Sequence, residues 1–511
     1  MQNRGLVVAA SVIGLLIFVV APIVTGFVIE RTFPTWIEAA DESSPDVEIE
    51  SALVRGAFIS TAETTLRFGG EDDQDLLVVR HEVVHGPIPV GELWRGRSPL
   101  ALVVAVVDTR YDVDPEALPN IAAALAGRPL IRLIAWLGLD RSVRLELTSP
   151  AIELPEARYR GEGFRGEAVF TPDSGAAEGH LWIGAASLGE ASGGALELAP
   201  SELSFRVEAG EGARPAEGSL DLGAIALDGP DARIRIAPSR ATFAGHLDEA
   251  GFETGRFDLT IGDIVSEPTA ASAADSARLI GLRIQEESEI DADRGLRSLI
   301  TTVGFDQLSR GADVYGPGQL VLAVRNIDVA AAREFRAALS AVDAGASSTA
   351  DEDPLAARLA VVEQYMPRLL GASPEIVIER FTVGSPHGEL TGGGRIAIDG
   401  RDPALVGSVL TALMQTRALI EFAIPAPIMR SLVESYVLGS ARDEMPEVSE
   451  DELRQMASFM GETVLEQLVA RGVLVQDGAV YRLDARYEDG MPSLNGQPID
   501  PMSLPGFGTG P

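Results

Sequence analysis

The 511-residue chain contains no lysine and no cysteine, so all 41 of its basic side chains are arginine. Without lysine it has no P-loop lysine, no kinase-type phosphate lysine and no Schiff-base nucleophile. Without cysteine it has no disulfide framework, thiol nucleophile or cysteine-ligated zinc or iron–sulfur centre. Cations are also scarce in total. Against 76 acidic residues they leave a formal charge of −35, which repels nucleic acid and anionic headgroups, so no nucleic-acid partner is expected. What remains is the composition of a folded chain. Hydrophobic residues make up 46%, and the length suits roughly two to four domains with a large core.

The amino terminus carries the longest apolar run, LVVAASVIGLLIFVVAPIVTGFVI, from Leu6 to Ile29 without a charge. As a helix it would reach roughly 36 Å, more than the hydrocarbon core of a bilayer at about 30 Å. It is too long for the apolar region of a cleaved signal peptide, and Pro22 follows the best small residue, Ala21. The expectation is therefore a single-pass signal anchor over residues 1–30. Arg4 keeps the amino terminus cytoplasmic, and the bulk of the chain faces the other side of the membrane. Residues 31–46 read as a membrane-proximal segment.

From Val47 the period becomes two. VEIESALV, VRLEL (143–147), LSFRV (203–207), ARIRI (232–236) and FDLTI (257–261) alternate apolar and polar residues between Gly, Pro, Asp and Ser clusters. Residues 47–325 are thus expected to form a large, mainly antiparallel β region, with helical breaks at 115–127 and 128–139. Near Asn326 helical and strand patterns alternate, so 326–498 reads as a mixed α+β region and 499–511 as a flexible tail. The expected fold class is α+β with an amino-terminal transmembrane helix. Ser449 and Glu452 form a capping box for a helix over 450–471, Gly439 reads as the end of the preceding helix, and Asp477-Gly478 suits a hairpin turn. No internal repeat is evident.

Three motifs invite chemical readings. His81-Glu82-Val83-Val84-His85 matches the zincin pattern, in which a helix puts both histidines on one face as metal ligands and the glutamate acts as general base. Here four valines and the following Gly86-Pro87 argue for a strand, in which His81 and His85 lie roughly 13 Å apart. A zinc hydrolase using His81, Glu82 and His85 is the alternative to a non-enzymatic protein. Gly161-Glu162-Gly163-Phe164-Arg165-Gly166 satisfies G-x-G-x-x-G but precedes a strand-like run instead of a helix, and reads as a β bend. Asp291-Ala292-Asp293-Arg294-Gly295 opens like a calcium loop but lacks its later ligands, and reads as a solvated turn. No cofactor is expected.

The order of several features resembles the YdgA-like family of bacterial envelope proteins of unknown function. The residues that carry it are Arg55-Gly56-Ala57-Phe58-Ile59-Ser60, His85-Gly86-Pro87-Ile88-Pro89, the step Val324 to Asp328, and Leu494-Asn495-Gly496. The resemblance implies an inner-membrane-anchored periplasmic protein and carries over no catalytic residue. The expected function is non-enzymatic binding or scaffolding in the bacterial envelope, with a lipid or other apolar ligand held in a β-sheet groove. Expected partners are the inner membrane through residues 6–29, a lipid or an envelope protein, and a second copy of the chain.

Overall fold

A computed structural model describes residues 47–499 except 57, 69–74, 87–102, 190–193, 211–213, 231, 248–252, 270–275, 312, 347–353, 402–408 and 445–447. The chain divides into two compact units, residues 1–249 with 268–270, and residues 250–267 with 271–511.

The first unit opens with six strands, each hydrogen-bonded antiparallel to the next: β1 (Val47–Val54), β2 (Ile59–Phe68), β3 (Asp75–His85), β4 (Val103–Val113), β5 (Ile131–Gly138) and β6 (Val143–Ser149). Alternation of β-branched with polar residues suits a pleated surface. In β3 and β4 the valines are dense enough to bury side chains on both faces. Val79 and Val83 are buried on one side, and Val84 and Val106 pack with Val103, Ile134 and Trp136 on the other. A short helix, Pro119–Leu125, starts on Pro119 and is followed by Ala126 and Gly127 with positive φ. The expected second helical break at 128–139 is instead β5. Its IRLIAW core is rich in branched and aromatic side chains, and Ile134 is completed by valines of β3 and β4.

From β6 to Leu247 the chain is a meander of strands interrupted at matching positions. Strands Phe164–Thr171, Ala176–Ile183, Ser201–Val207, Arg214–Leu222 and Ser239–Leu247 continue the sheet from β6. A parallel series of short strands, Ile152–Leu154, Tyr159–Gly161, Ala186–Gly189, Ala195–Leu198, Ile225–Asp228 and Ala232–Ile236, pairs in the same antiparallel order. Each long strand is separated from its short continuation by two residues. These are Pro150-Ala151, Glu162-Gly163, Gly184-Ala185, Ala199-Pro200, Gly223-Ala224 and Ala237-Pro238. All but Glu162 are Gly, Ala or Pro, and they form one line across six strands. This is an internal repeat that the sequence did not disclose.

The second unit is again mainly an antiparallel ladder. Ala277–Asp291 pairs with Glu253–Pro268 and Leu296–Phe305, and the ladder continues through Gly318–Asp328, Glu375–Ser385, Gly388–Ile398, Thr416–Pro425 and Val480–Glu488. Phenylalanine rings cover glycines on neighbouring strands, Phe305 over Gly318 and Phe422 over Gly392, where any larger residue would collide with the ring. Helices Val329–Ala346 and Pro354–Gly371 lie in sequence between two strands that pair directly, and so do Ala426–Glu444 and Glu450–Ala470. They are long excursions from hairpins, not the alternating layer of a mixed region.

The fold class is accordingly corrected from α+β with a transmembrane helix to mainly antiparallel β with helical excursions. Helix-strand alternation along the sequence had hidden that spatially adjacent strands remain hairpin partners. No helix among the described residues is long and apolar enough to cross a membrane, and the segment at 6–29 lies outside the described residues.

Smaller expectations fare variously. Ser449 caps Glu450–Ala470 by accepting the Glu452 amide, and Gly472 follows with φ +72°. Gly439 does not end its helix, which runs on to Glu444. The terminal hairpin forms with Gly478-Ala479 as its two-residue loop, one position later than expected, because Asp477 already pairs with Val480.

Candidate functional site

The HEVVH segment lies entirely in β3. Strand alternation sends His81 and His85 to one side and Glu82 to the other, where Glu82 sits opposite Thr61 and Asp108. The zincin arrangement, with both imidazoles on one helical turn, is therefore not formed. Each histidine instead meets hydroxyls of adjacent strands. His81 Nδ1 lies 3.0 Å from Thr109 Oγ1 and its Nε2 3.4 Å from Thr64 Oγ1, which in turn lies 2.8 Å from Ser51 Oγ. His85 Nε2 lies 3.0 Å from Ser60 Oγ. These are polar cross-ties in a buried valine-rich layer. Among the described residues no cluster of three or more His, Asp and Glu side chains is placed to hold a metal.

Burial holds the His81 imidazole below its ordinary pKa of 6.5. The unfolded chain takes up that proton first, so stability present above pH 6.5 falls as the pH drops from there towards the folded value. Urea denaturation at stepwise lower pH should show this loss, and His81→Gln should flatten it. An unchanged pH profile in the variant would show that His81 does not contribute.

On the reverse side of β3–β5, beside an open concavity of about 920 Å³, arginines 80, 110 and 132 stand in one cross-strand row. Like charges placed opposite one another repel, so each needs an acid. Arg80 bonds Glu63 and Asp112, while Arg110 and Arg132 converge on Asp108, a carboxylate only 4% exposed.

The residues of the family-like motifs hold corners of the fold. Gly56 approaches the Ile59 backbone too closely for a side chain, and Gly86 approaches that of Val103. The His85 amide donates to Phe58 O and the Gly86 amide to Val104 O. Asn326 takes φ +60° and donates to Ser373 O, while Asp328 accepts the Ala331 amide at the helix start. Asn495, also with positive φ, accepts the Asp484 amide and donates to Gly472 O and Val473 O, tying the last hairpin to the end of Glu450–Ala470. Gly496 follows in the left-handed region, and Pro87 lies outside the described residues. In the G-x-G-x-x-G match, Gly163 has φ +79° at the strand break. In Asp291–Gly295, Asp291 Oδ1 accepts the amides of Asp293 and Arg294 in a tight turn.

The feature with the clearest binding chemistry is the sheet from β6 to Leu247. One side carries Arg144, Glu167, Glu178, Arg206 and Glu217, linked by cross-strand ion pairs of 3.6–3.7 Å. On the other side the register stacks Leu147, Gly166, Leu181, Leu203, Leu220 and Ala241, beside a second row of Leu145, Ala168, Gly179, Phe205, Gly218 and Phe243. The short strands repeat the division, with Leu188, Leu196 and Leu227 in one row and Arg160, Glu197 and Arg235 on the reverse.

The two apolar surfaces lie on the same side of the sheet. Hydrogen-bonded pairs in a regular antiparallel ladder recur every second residue. At the break, Glu162 N donates to Ala185 O and Gly184 N to Gly163 O, which are adjacent pairs. The alternation therefore moves by one residue, and the apolar side is kept. Phe170, Leu188, Leu196, Leu203, Phe205 and Leu227 are 36–44% exposed on it. Single exposed leucines are ordinary, but a register-aligned set of this kind is a candidate binding surface. Strand patterning in the sequence pointed to amphipathic strands, but only the register shows that their apolar sides coincide.

Fold and surface together define a large antiparallel β protein with an amphipathic sheet whose apolar side is partly open. The chain belongs to a bacterial protein family of unknown function, DUF945, which matches residues 4–502. No curated protein and no solved structure matches it.

Proposed function

We propose that the chain, as a YdgA-like member of its family, is a non-enzymatic binding protein of the bacterial envelope. It holds a lipid or other apolar ligand on the apolar side of the sheet between β6 and Leu247. The observation that carries this reading is the aligned set of large apolar side chains left 36–44% exposed on one side only. A water-facing surface of that kind gains from covering, at about 25 cal/mol per Å² of apolar area removed from water. The reverse side, with its rows of Arg–Glu pairs, is chemically suited to water. Native mass spectrometry of the full chain, purified gently from its own host, tests the proposal. A bound mass of lipid size is expected. A bare chain that also fails to bind a lipophilic dye saturably would overturn it.

A further inference from the structure

The line of strand breaks narrows the ligand class, on the premise that the apolar side is a binding surface. It crosses six strands, a distance of about 24 Å at the usual spacing of roughly 4.8 Å. On the apolar side the line is bare backbone, because the shifted alternation turns the break residues, Glu162 among them, to the charged side, while larger apolar residues rise beside it. Next to it on the long strands stand Phe164, Ile183 and Leu222, alternating with Ser149, Ser201 and Ser239, with Leu181, Leu203 and Leu220 one row further, and on the short strands Leu198, Ile225 and Ile236. No ionisable residue occupies the apolar rows nearest the line on either side.

The backbone at the line is also engaged within the sheet. Ala199 N donates to Ala224 O, Gly184 N to Gly163 O, and Gly223 N to Ser201 Oγ, while Glu162 Oε2 accepts the Ala185 amide. An added peptide strand would need open backbone partners, and these groups already have theirs. A hydrocarbon chain needs none. We propose that the bound ligand is a lipid whose single unbranched hydrocarbon chain lies along this line, crossing the strands, with its polar head beyond the apolar rows.

The test is a chain-length series on the full protein: single-chain phosphocholines of eight to eighteen carbons, titrated below their micelle concentrations, with a compact naphthalene dye for comparison. Affinity should rise with each methylene by up to about fourfold, the value for full burial, and level off once the line is filled. Leu198→Glu and Leu220→Glu, one on each side of the line, should each weaken the sixteen-carbon probe at least tenfold while melting cooperatively. Equal affinity for eight and sixteen carbons, with the dye still bound saturably, would overturn this inference and leave the binding function standing. Saturable binding of none of the probes would overturn both. Loss of the long probe in Phe205→Glu but not in Leu198→Glu would move the ligand off the line and overturn its placement.

Discussion

Arg132→Ala is expected to lower stability by about 3–5 kcal/mol, the range for removing one partner of a buried ion pair. Asp108 is 4% exposed, and Arg132 grips it with Nε at 2.9 Å and Nη2 at 2.5 Å, while Arg110 adds a bond of 3.1 Å. Burial by itself would raise the carboxyl's pKa. The two guanidinium groups outweigh it and hold the group below its ordinary value of 3.8. Asp108 therefore stays ionised above that range and contributes stability there, which is lost as the pH falls towards its folded value. Without Arg132 the carboxylate remains desolvated, with a partner in Arg110 that is 41% exposed. Urea denaturation should show the full loss at pH 7. The double variant Asp108→Leu with Arg132→Met should recover most of it, because replacing both charges removes the desolvation cost as well as the attraction. A loss below about 1 kcal/mol in Arg132→Ala would show that water reaches Asp108 and that the pair is effectively a surface one.

Leu203→Glu is expected to reduce affinity for an apolar ligand by more than tenfold while the protein remains folded. The side chain is 36% exposed and stands between Leu181 and Leu220 of the neighbouring strands. Losing that contact costs on the order of 1 kcal/mol, which a chain of this size tolerates. A carboxylate at the same place would have to be dehydrated under a bound hydrocarbon, at a cost of several kcal/mol. Glu202→Gln, on the reverse side of the same strand, is the control and should bind as the parent does. Equal loss in both variants would show that the sheet is disturbed as a whole and that its apolar side is not the contact.

Several features were legible locally because local chemistry decides them. The capping box at Ser449 and Glu452 involves groups three residues apart, and the amphipathic runs VRLEL, LSFRV and ARIRI carry their period within five residues. HEVVH is legible as a strand because its valines and the Gly86-Pro87 stop outweigh a five-residue motif. The segment 128–139 misled because a continuous apolar run has no period of its own. Whether it winds or extends depends on the partners that cover it, and those are valines of β3 and β4, far back in the chain.

The six two-residue breaks show the same limit. Pro-Ala, Gly-Ala and Ala-Pro steps are unremarkable singly, and they become a line only through a register that brings Gly184 beside Gly163 and Ala199 beside Ala224. Composition alone determined that this chain can do no lysine or cysteine chemistry, and alternation alone determined that most of it forms amphipathic strands, since both are properties of single residues and their near neighbours. That the apolar sides of those strands coincide, and that helices 329–371 and 426–470 are excursions from one antiparallel ladder, was decided by tertiary structure. Cross-strand pairing joins residues tens of positions apart, and a shift of one residue would turn every apolar side chain to the opposite face.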